Sequence, residues 1–200
     1  MTPMINYFLL LYFILFFGIA FLGISYVVSR KIKKNPMAFP RDDSAYGLVG
    51  LYFKYTLIGL FGYVVARLFV SNNTAVFMPI PYLEYVWLQY AGIGLMILTF
   101  IWVVIAQLQM SDSWRIGIDT DTKTELVTKG LFSVSRNPIF LGMICSLLGL
   151  FLVAPNMFTL LFLVVGYILI QIQIRLEETF LTQEHGEAYQ QYILHTKRLL

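Results

Sequence analysis

Asn137-Pro138, Arg136, Arg175, Glu177 and Glu178 are the residues of this chain whose types and spacing could do chemistry together. Asparagine is a strong helix N-cap and proline is favoured at the first helical position, so Asn137-Pro138 reads as a helix start. A helix start leaves free N–H groups and the positive end of the dipole, where an anionic ligand group can dock. Arg136 would strengthen that field. Glu177 and Glu178 add carboxylates further along the chain, and Arg175 adds a cation. Their bland reading is a solvated helix end with an Arg–Glu pair. Adjacent helical glutamates point about 100° apart, so only one need face a pocket.

Apolar sequence must hold these two groups together. The chain has 200 residues, 58% hydrophobic and 12% charged, which is the composition of an integral membrane protein. We expect an all-α membrane fold of about five transmembrane helices, because a span must satisfy its own backbone. The spans run from about Met4 to Val28, Tyr46 to Val70, Leu83 to Gln107, Asn137 to Ala154 and Met157 to Ile174. Pro155-Asn156 is a tight turn, so the last two should form an antiparallel hairpin. That hairpin brings the Asn137 helix start beside the Glu177 end. A cytosolic C-terminal helix follows a break at Gly186, with Glu184, Glu187, Tyr189 and Tyr192 read as mostly surface or interface residues. The chain is expected to form one membrane domain, with three N-terminal spans in 1–110 and the binding and catalytic region in 111–200.

Basic residues are asymmetric along the chain. Arg30, Lys31, Lys33, Lys34 and Arg41 fill the first loop, Arg115, Lys123, Lys129 and Arg136 the third, and Lys197 and Arg198 the tail. The stretch from Ser71 to Tyr82 has none. The positive-inside rule therefore places the N-terminus outside and the C-terminus in the cytosol. The membrane would be the plasma (inner) membrane of a bacterium or the endoplasmic reticulum of a eukaryote. The N-terminus lacks a basic n-region and a small-residue cleavage site, and reads as the first span rather than a signal peptide. Lys54 and Arg67 lie within spans but near their ends, and are expected to snorkel. Asn72-Asn73-Thr74 matches a glycosylation acceptor, a weak motif.

Several chemistries are disfavoured. A single cysteine, Cys145, forms no internal disulfide or thiolate cluster, and His185 and His195 are not at ligand spacing, so no metal is expected. No phosphate-binding glycine loop or dinucleotide fingerprint is present. The small net charge of +3 does not suggest nucleic acid.

"LVTKGLF" (Leu126 to Phe132), "RNPIFLG" (Arg136 to Gly142), "EE" (Glu177, Glu178) and "HGEAYQQY" (His185 to Tyr192) occur in this order around the apolar hairpin. Together they resemble the isoprenylcysteine carboxyl methyltransferase family and its relatives among phospholipid methyltransferases. The resemblance covers roughly Ser111 to Arg198. It implies an S-adenosyl-L-methionine-dependent methyltransferase embedded in the membrane. By resemblance the cofactor contacts Thr124, Glu125, Leu126, Val127, Phe132, Arg136, Asn137, Pro138, Ile139, Phe140 and Glu177. Arg175 and Glu178 are the implied catalytic residues, the arginine orienting a carboxylate acceptor or the glutamate serving as base for an amine or alcohol. The commonest family form has histidine at Asn137 and tyrosine at Phe140. The implied partners are a lipophilic or prenylated acceptor and membrane lipids. Membrane sterol reductases have a similar pattern and bind NADPH, but typically carry glutamate where Met143 stands. A non-catalytic membrane protein retaining the fold is the third reading.

Overall fold

The structure is a computed structural model that describes residues 3–32, 37–38, 44–70, 74–110, 116–117 and 125–200. Thr124, the Asn72-Asn73 pair and the basic residues Lys33, Lys34, Arg41, Arg115 and Lys123 lie outside the described residues. The elements are α1 (Pro3–Leu15), α2 (Ile24–Ile32), α3 (Ala45–Phe69), α4 (Val86–Met110), α5 (Pro138–Val153), α6 (Met157–His185) and α7 (Glu187–His195). A wider π-helical segment, Phe16–Gly23, joins α1 to α2. One two-residue parallel pair, β1 (Met37–Ala38) with β2 (Ile116–Gly117), is the one strand pairing longer than an isolated bridge among the described residues.

Among the described residues, four helical stretches are long and apolar enough to cross a membrane: Met4–Arg30, Ala45–Phe69, Val86–Met110 and Met157–His185. These match four of the five expected spans. The fifth apolar helix, α5, has 16 residues and extends about 24 Å, a little short of a ~30 Å hydrocarbon core. α6 is longer than its apolar part. The polar stretch after Ile174 stays helical because no glycine or proline interrupts it before Gly186, where φ of 54° ends the helix.

α5 lies closely against α4. A Cβ on Gly142 would sit 2.4 Å from the Val103 side chain, so only glycine permits this approach. Trp102 of α4 donates its indole N–H to the Pro138 carbonyl at 2.9 Å, which anchors the first turn of α5. At the far end, Ala154, Pro155 and Asn156 turn the chain into α6. Asn156 caps α6, its Oδ1 accepting from the Phe158 and Thr159 N–H groups while Thr159 Oγ1 accepts from the Asn156 N–H.

Arg67 corrects an expectation. It does not snorkel: it is 3% exposed. Its Nε donates to Asn6 Oδ1 and its Nη1 to the Tyr63 hydroxyl, both at 3.0 Å. The Tyr63 oxygen also accepts from Asn156 Nδ2 at 2.7 Å. Asn6 of α1 thus offers within the bundle the polar partner that a snorkelling side chain would seek in the headgroups. Lys54 is exposed.

Candidate functional site

The other end of the α5–α6 pair gathers the chemistry. α7 starts at Gly186 and folds back so that Tyr189 and Tyr192, three residues apart and on one helix face, are buried. The Tyr192 hydroxyl donates to the Phe132 carbonyl, in the 3₁₀ turn Gly130–Ser133. The tail after α7 then runs beside the segment that leads into α5. Ser135 pairs with Lys197 in a parallel bridge, and the Arg136 N–H donates to the Lys197 carbonyl at 2.9 Å.

Glu178, 8% exposed, is the hub. Arg136 donates from Nε and Nη2 to Glu178 Oε1 at 3.1 and 2.9 Å. Arg198 lies against the other oxygen, with Nε and Nη2 at 2.9 and 2.7 Å from Oε2. Asn137 Nδ2 reaches Oε1 at 3.4 Å and makes a better bond, 3.0 Å, to the Arg198 carbonyl. Arg136 Nη1 also donates to the carbonyls of Thr196 and Ile193. The buried carboxylate is therefore paired with two guanidinium groups, as a charge removed from water must be. Burial pushes the Tyr192 phenol up to about 12, with nearby Arg136 opposing. Burial and then the Glu178 charge raise the Tyr189 phenol as well. Both remain protonated.

Three expectations change here. Asn137 occupies the N-cap position of α5, but its side chain makes no capping bond. Its amide is spent on Glu178 and the tail. Among the described residues, the N–H groups of Ile139 and Phe140 in the first turn therefore meet no capping side chain. Glu178 is not a free base, because both of its oxygens are held in ion pairs. Arg175 is not brought to this group. It is exposed and turns back along its own helix, donating from Nη1 to the Gln171 carbonyl and to Gln171 Oε1 at 2.7 and 2.9 Å.

The remaining residues fall as follows. Glu177 is half-buried, one position before the hub. Tyr46 of α3 bonds the neighbouring Leu176 carbonyl at 2.9 Å, bringing α3 to this end. Phe132 and Pro138 are buried, and Leu126, Val127, Ile139 and Phe140 are half-buried. Ile139 packs against the Phe16, Ala20 and Val103 cluster. Glu125 is exposed.

Sequence reasoning missed Arg198, Ser135, Gln107 and Gln109 as members of the site, and it read Tyr189 and Tyr192 as mostly surface or interface residues. Spacing carried a signal only for the tyrosines, which share a face. Gln109 Oε1 accepts from the Leu131 N–H at 2.8 Å, tying α4 to the turn before the site. Gln107 Nε2 donates to Ala20 O in the π segment at 2.8 Å, while its buried Oε1 has no hydrogen-bond partner among the described residues.

No curated protein and no solved structure matches the chain. The long apolar helices mark an integral membrane protein. The family model for phospholipid methyltransferase matches residues 87–188, from the start of α4 into α7, and takes in Arg136, Asn137, Glu177 and Glu178 but not the site residues from Tyr189 to Arg198. With just over half its length matched, the chain belongs to that family, and membership implies methyltransferase activity.

Proposed function

We propose that the chain is an S-adenosyl-L-methionine-dependent methyltransferase acting on a lipid-like or isoprenylated acceptor, most simply a carboxylate. The observation that carries this reading is the uncapped first turn of α5. Its Ile139 and Phe140 N–H groups can receive the cofactor's carboxylate, because Asn137 is engaged elsewhere. Half-buried Glu177 would hold the ammonium or ribose, and half-buried Leu126 and Val127, which precede the α5 start in the chain, would offer apolar surface. These residues fit the group. When bound, the cofactor supplies an activated methyl on a sulfonium.

The protein's own task is then alignment and exclusion of water. Arg136 and Arg198 hold Glu178, which fixes the tail on the helix start and keeps that start in place. A carboxylate acceptor needs no base, which suits a site whose buried glutamate is committed to ion pairs. An amine or alcohol would have to give its proton to Glu177. Lys and Arg placement supports a cytosolic site, an outer N-terminus and α5 as a fifth, slightly short crossing.

Titrating the detergent-solubilised chain with S-adenosyl-L-methionine and, separately, with NADPH tests the reading. Saturable binding of the first alone is expected. Binding of NADPH alone would replace the reading with a reductase, and binding of neither would replace it with a non-catalytic membrane protein.

A further inference from the structure

The end of the bundle opposite the site carries a surface that the methyltransferase reading leaves unused. Between α3 and α4, the segment 74–85 crosses over the α5–α6 turn. The Ile80 N–H donates to the Pro155 carbonyl at 2.9 Å, and the Met157 N–H to the Met78 carbonyl at 3.1 Å. These bonds flank an antiparallel bridge between Pro79 and Asn156. Phe77 is buried and meets Tyr63 edge-on, with 5.3 Å between ring centres. Beneath this roof Val153, Ala154, Pro155 and Asn156 are all buried, so the non-helical backbone of the turn is enclosed by protein. Met78 adopts φ of 50°, a left-handed conformation that its Cβ resists, and the roof holds that strain in place.

The outward side of this roof is apolar and aromatic. Val76, Met78, Tyr82, Tyr85, Trp87 and Tyr90 are each more than half exposed. From 74 to 90 the sequence holds one charged residue, Glu84, and no lysine or arginine. Surfaces that face water rarely gather so many large apolar side chains in one place. Tyrosine and tryptophan join an apolar ring to a polar tip, which is the chemistry enriched where hydrocarbon meets headgroups. The patch also runs on into the outward faces of three of the long apolar helices. Exposed Phe69 ends α3, Trp87 and Tyr90 open α4, and exposed Met157 opens α6.

We propose that residues 74–90 form an interfacial anchor, seated in the headgroup layer of the bilayer with the aromatic side against lipid. The partner is a zwitterionic lipid surface. Without lysine or arginine the segment has nothing with which to select an anionic headgroup. Continuity with the outward helix faces favours lipid over a soluble partner, and the pinned backbone presents the patch in one fixed shape. α5, at 16 residues, then ends beneath this roof and need not reach water. The anchor does not depend on the methyltransferase reading.

The test uses the full chain in phosphatidylcholine vesicles, with nitroxide labels at Met78→Cys and Tyr82→Cys, each in a Cys145→Ala background. Glu187→Cys, on the exposed side of α7, is the water-facing reference. Collision with oxygen, which partitions into lipid, is compared with collision with an aqueous nickel chelate. An oxygen-to-nickel ratio roughly fivefold above the reference is expected at both positions. A ratio equal to the reference would place the segment in water and overturn the proposal. Exclusion of both reagents would mean that protein covers the patch, whether a second copy of the chain or another, and overturns it too. Replacing part of the phosphatidylcholine by phosphatidylglycerol should change the ratios by less than about twofold. A several-fold rise would overturn the choice of a zwitterionic surface. Trp87→Phe gives a reading that needs no cysteine. The fluorescence it removes should be quenched by phosphatidylcholine brominated near its headgroup and spared by aqueous iodide, and the reverse pattern overturns the anchor.

Discussion

Each end of the bundle buries an arginine, and the two are built differently. Arg67, near the α5–α6 turn, donates to Asn6 and Tyr63, two neutral side chains, and Tyr63 is in turn bonded to the Asn156 cap of α6. Arg136, at the opposite end, is held by the carboxylate of Glu178, which also pairs with Arg198 of the tail. At the first end the asparagine caps its helix, accepting from two first-turn N–H groups. At the second, Asn137 turns away from its helix and the first turn stays uncapped. The difference teaches where a ligand can act. At the first end the first-turn N–H groups of α6 are already taken, and the network is a closure. An ion-paired hub beside uncapped N–H groups is held rigid yet still has donors to offer.

The sharpest way to break this comparison is Glu178→Gln. Removing one partner of a buried ion pair leaves guanidinium charge uncompensated, at a cost of about 3–5 kcal/mol. Arg198 is partly exposed, with 43% side-chain exposure, so the lower end, about 3 kcal/mol, is expected. Denaturation of the detergent-solubilised protein should show this loss, and the tail after Tyr192 should become protease-sensitive. Unchanged stability would mean that Glu178 is not a structural hub.

Arg67→Met attacks the other end. It strands the Asn6 carbonyl and weakens the link through Tyr63 to Asn156, for an expected loss of about 2 kcal/mol. Cofactor affinity per folded molecule should not change. A weakened affinity in this variant would mean that the two ends are coupled, and the contrast between closure and site would fail.

Glu177→Gln should do the reverse. Glu177 is half-buried and lies outside the Glu178 ion pairs, so stability should hold. S-adenosyl-L-methionine affinity should fall about tenfold, the equivalent of ~1.4 kcal/mol. Isothermal titration beside a melting curve separates the two quantities. A drop in stability with unchanged affinity would assign Glu177 to the scaffold and leave α5's first turn without its proposed companion.

Much of this comparison was legible in the sequence, and the unread part has a physical reason. Apolar length marked the four long spans, and Pro155-Asn156 and Gly186 marked their punctuation, because hydropathy and backbone restriction are local properties. Asn137-Pro138 was legible as a helix start for the same reason. What Asn137 does with its amide was not, because that depends on Glu178 and Arg198, 41 and 61 residues away. Arg67 read as a snorkelling residue because its partner Asn6 stands 61 residues earlier, on another helix. Arg198 looked like a topological charge for the same reason. Pairing between distant side chains leaves no local pattern. The tyrosines were a partial case, since their spacing showed a shared face without showing which way it turned.

Tyr192→Phe gives the smallest effect and probes how firmly the tail is seated. The variant loses the hydrogen bond to the Phe132 carbonyl, worth about 1 kcal/mol. Its pH dependence has a definite sign. The phenol's ordinary value is 10.0, and burial raises it to about 12 in the folded chain. The folded state thus favours the protonated phenol. Its stabilising contribution is fully present below pH 10 and is lost as the pH rises through 12. The stability gap between wild type and Tyr192→Phe should therefore be constant from neutral pH to about 9.5, then close. Denaturant titrations of both proteins across that range measure the gap. If it closed below pH 9, the Tyr192 phenol would be solvated, and α7 would not be packed over the turn that carries Phe132.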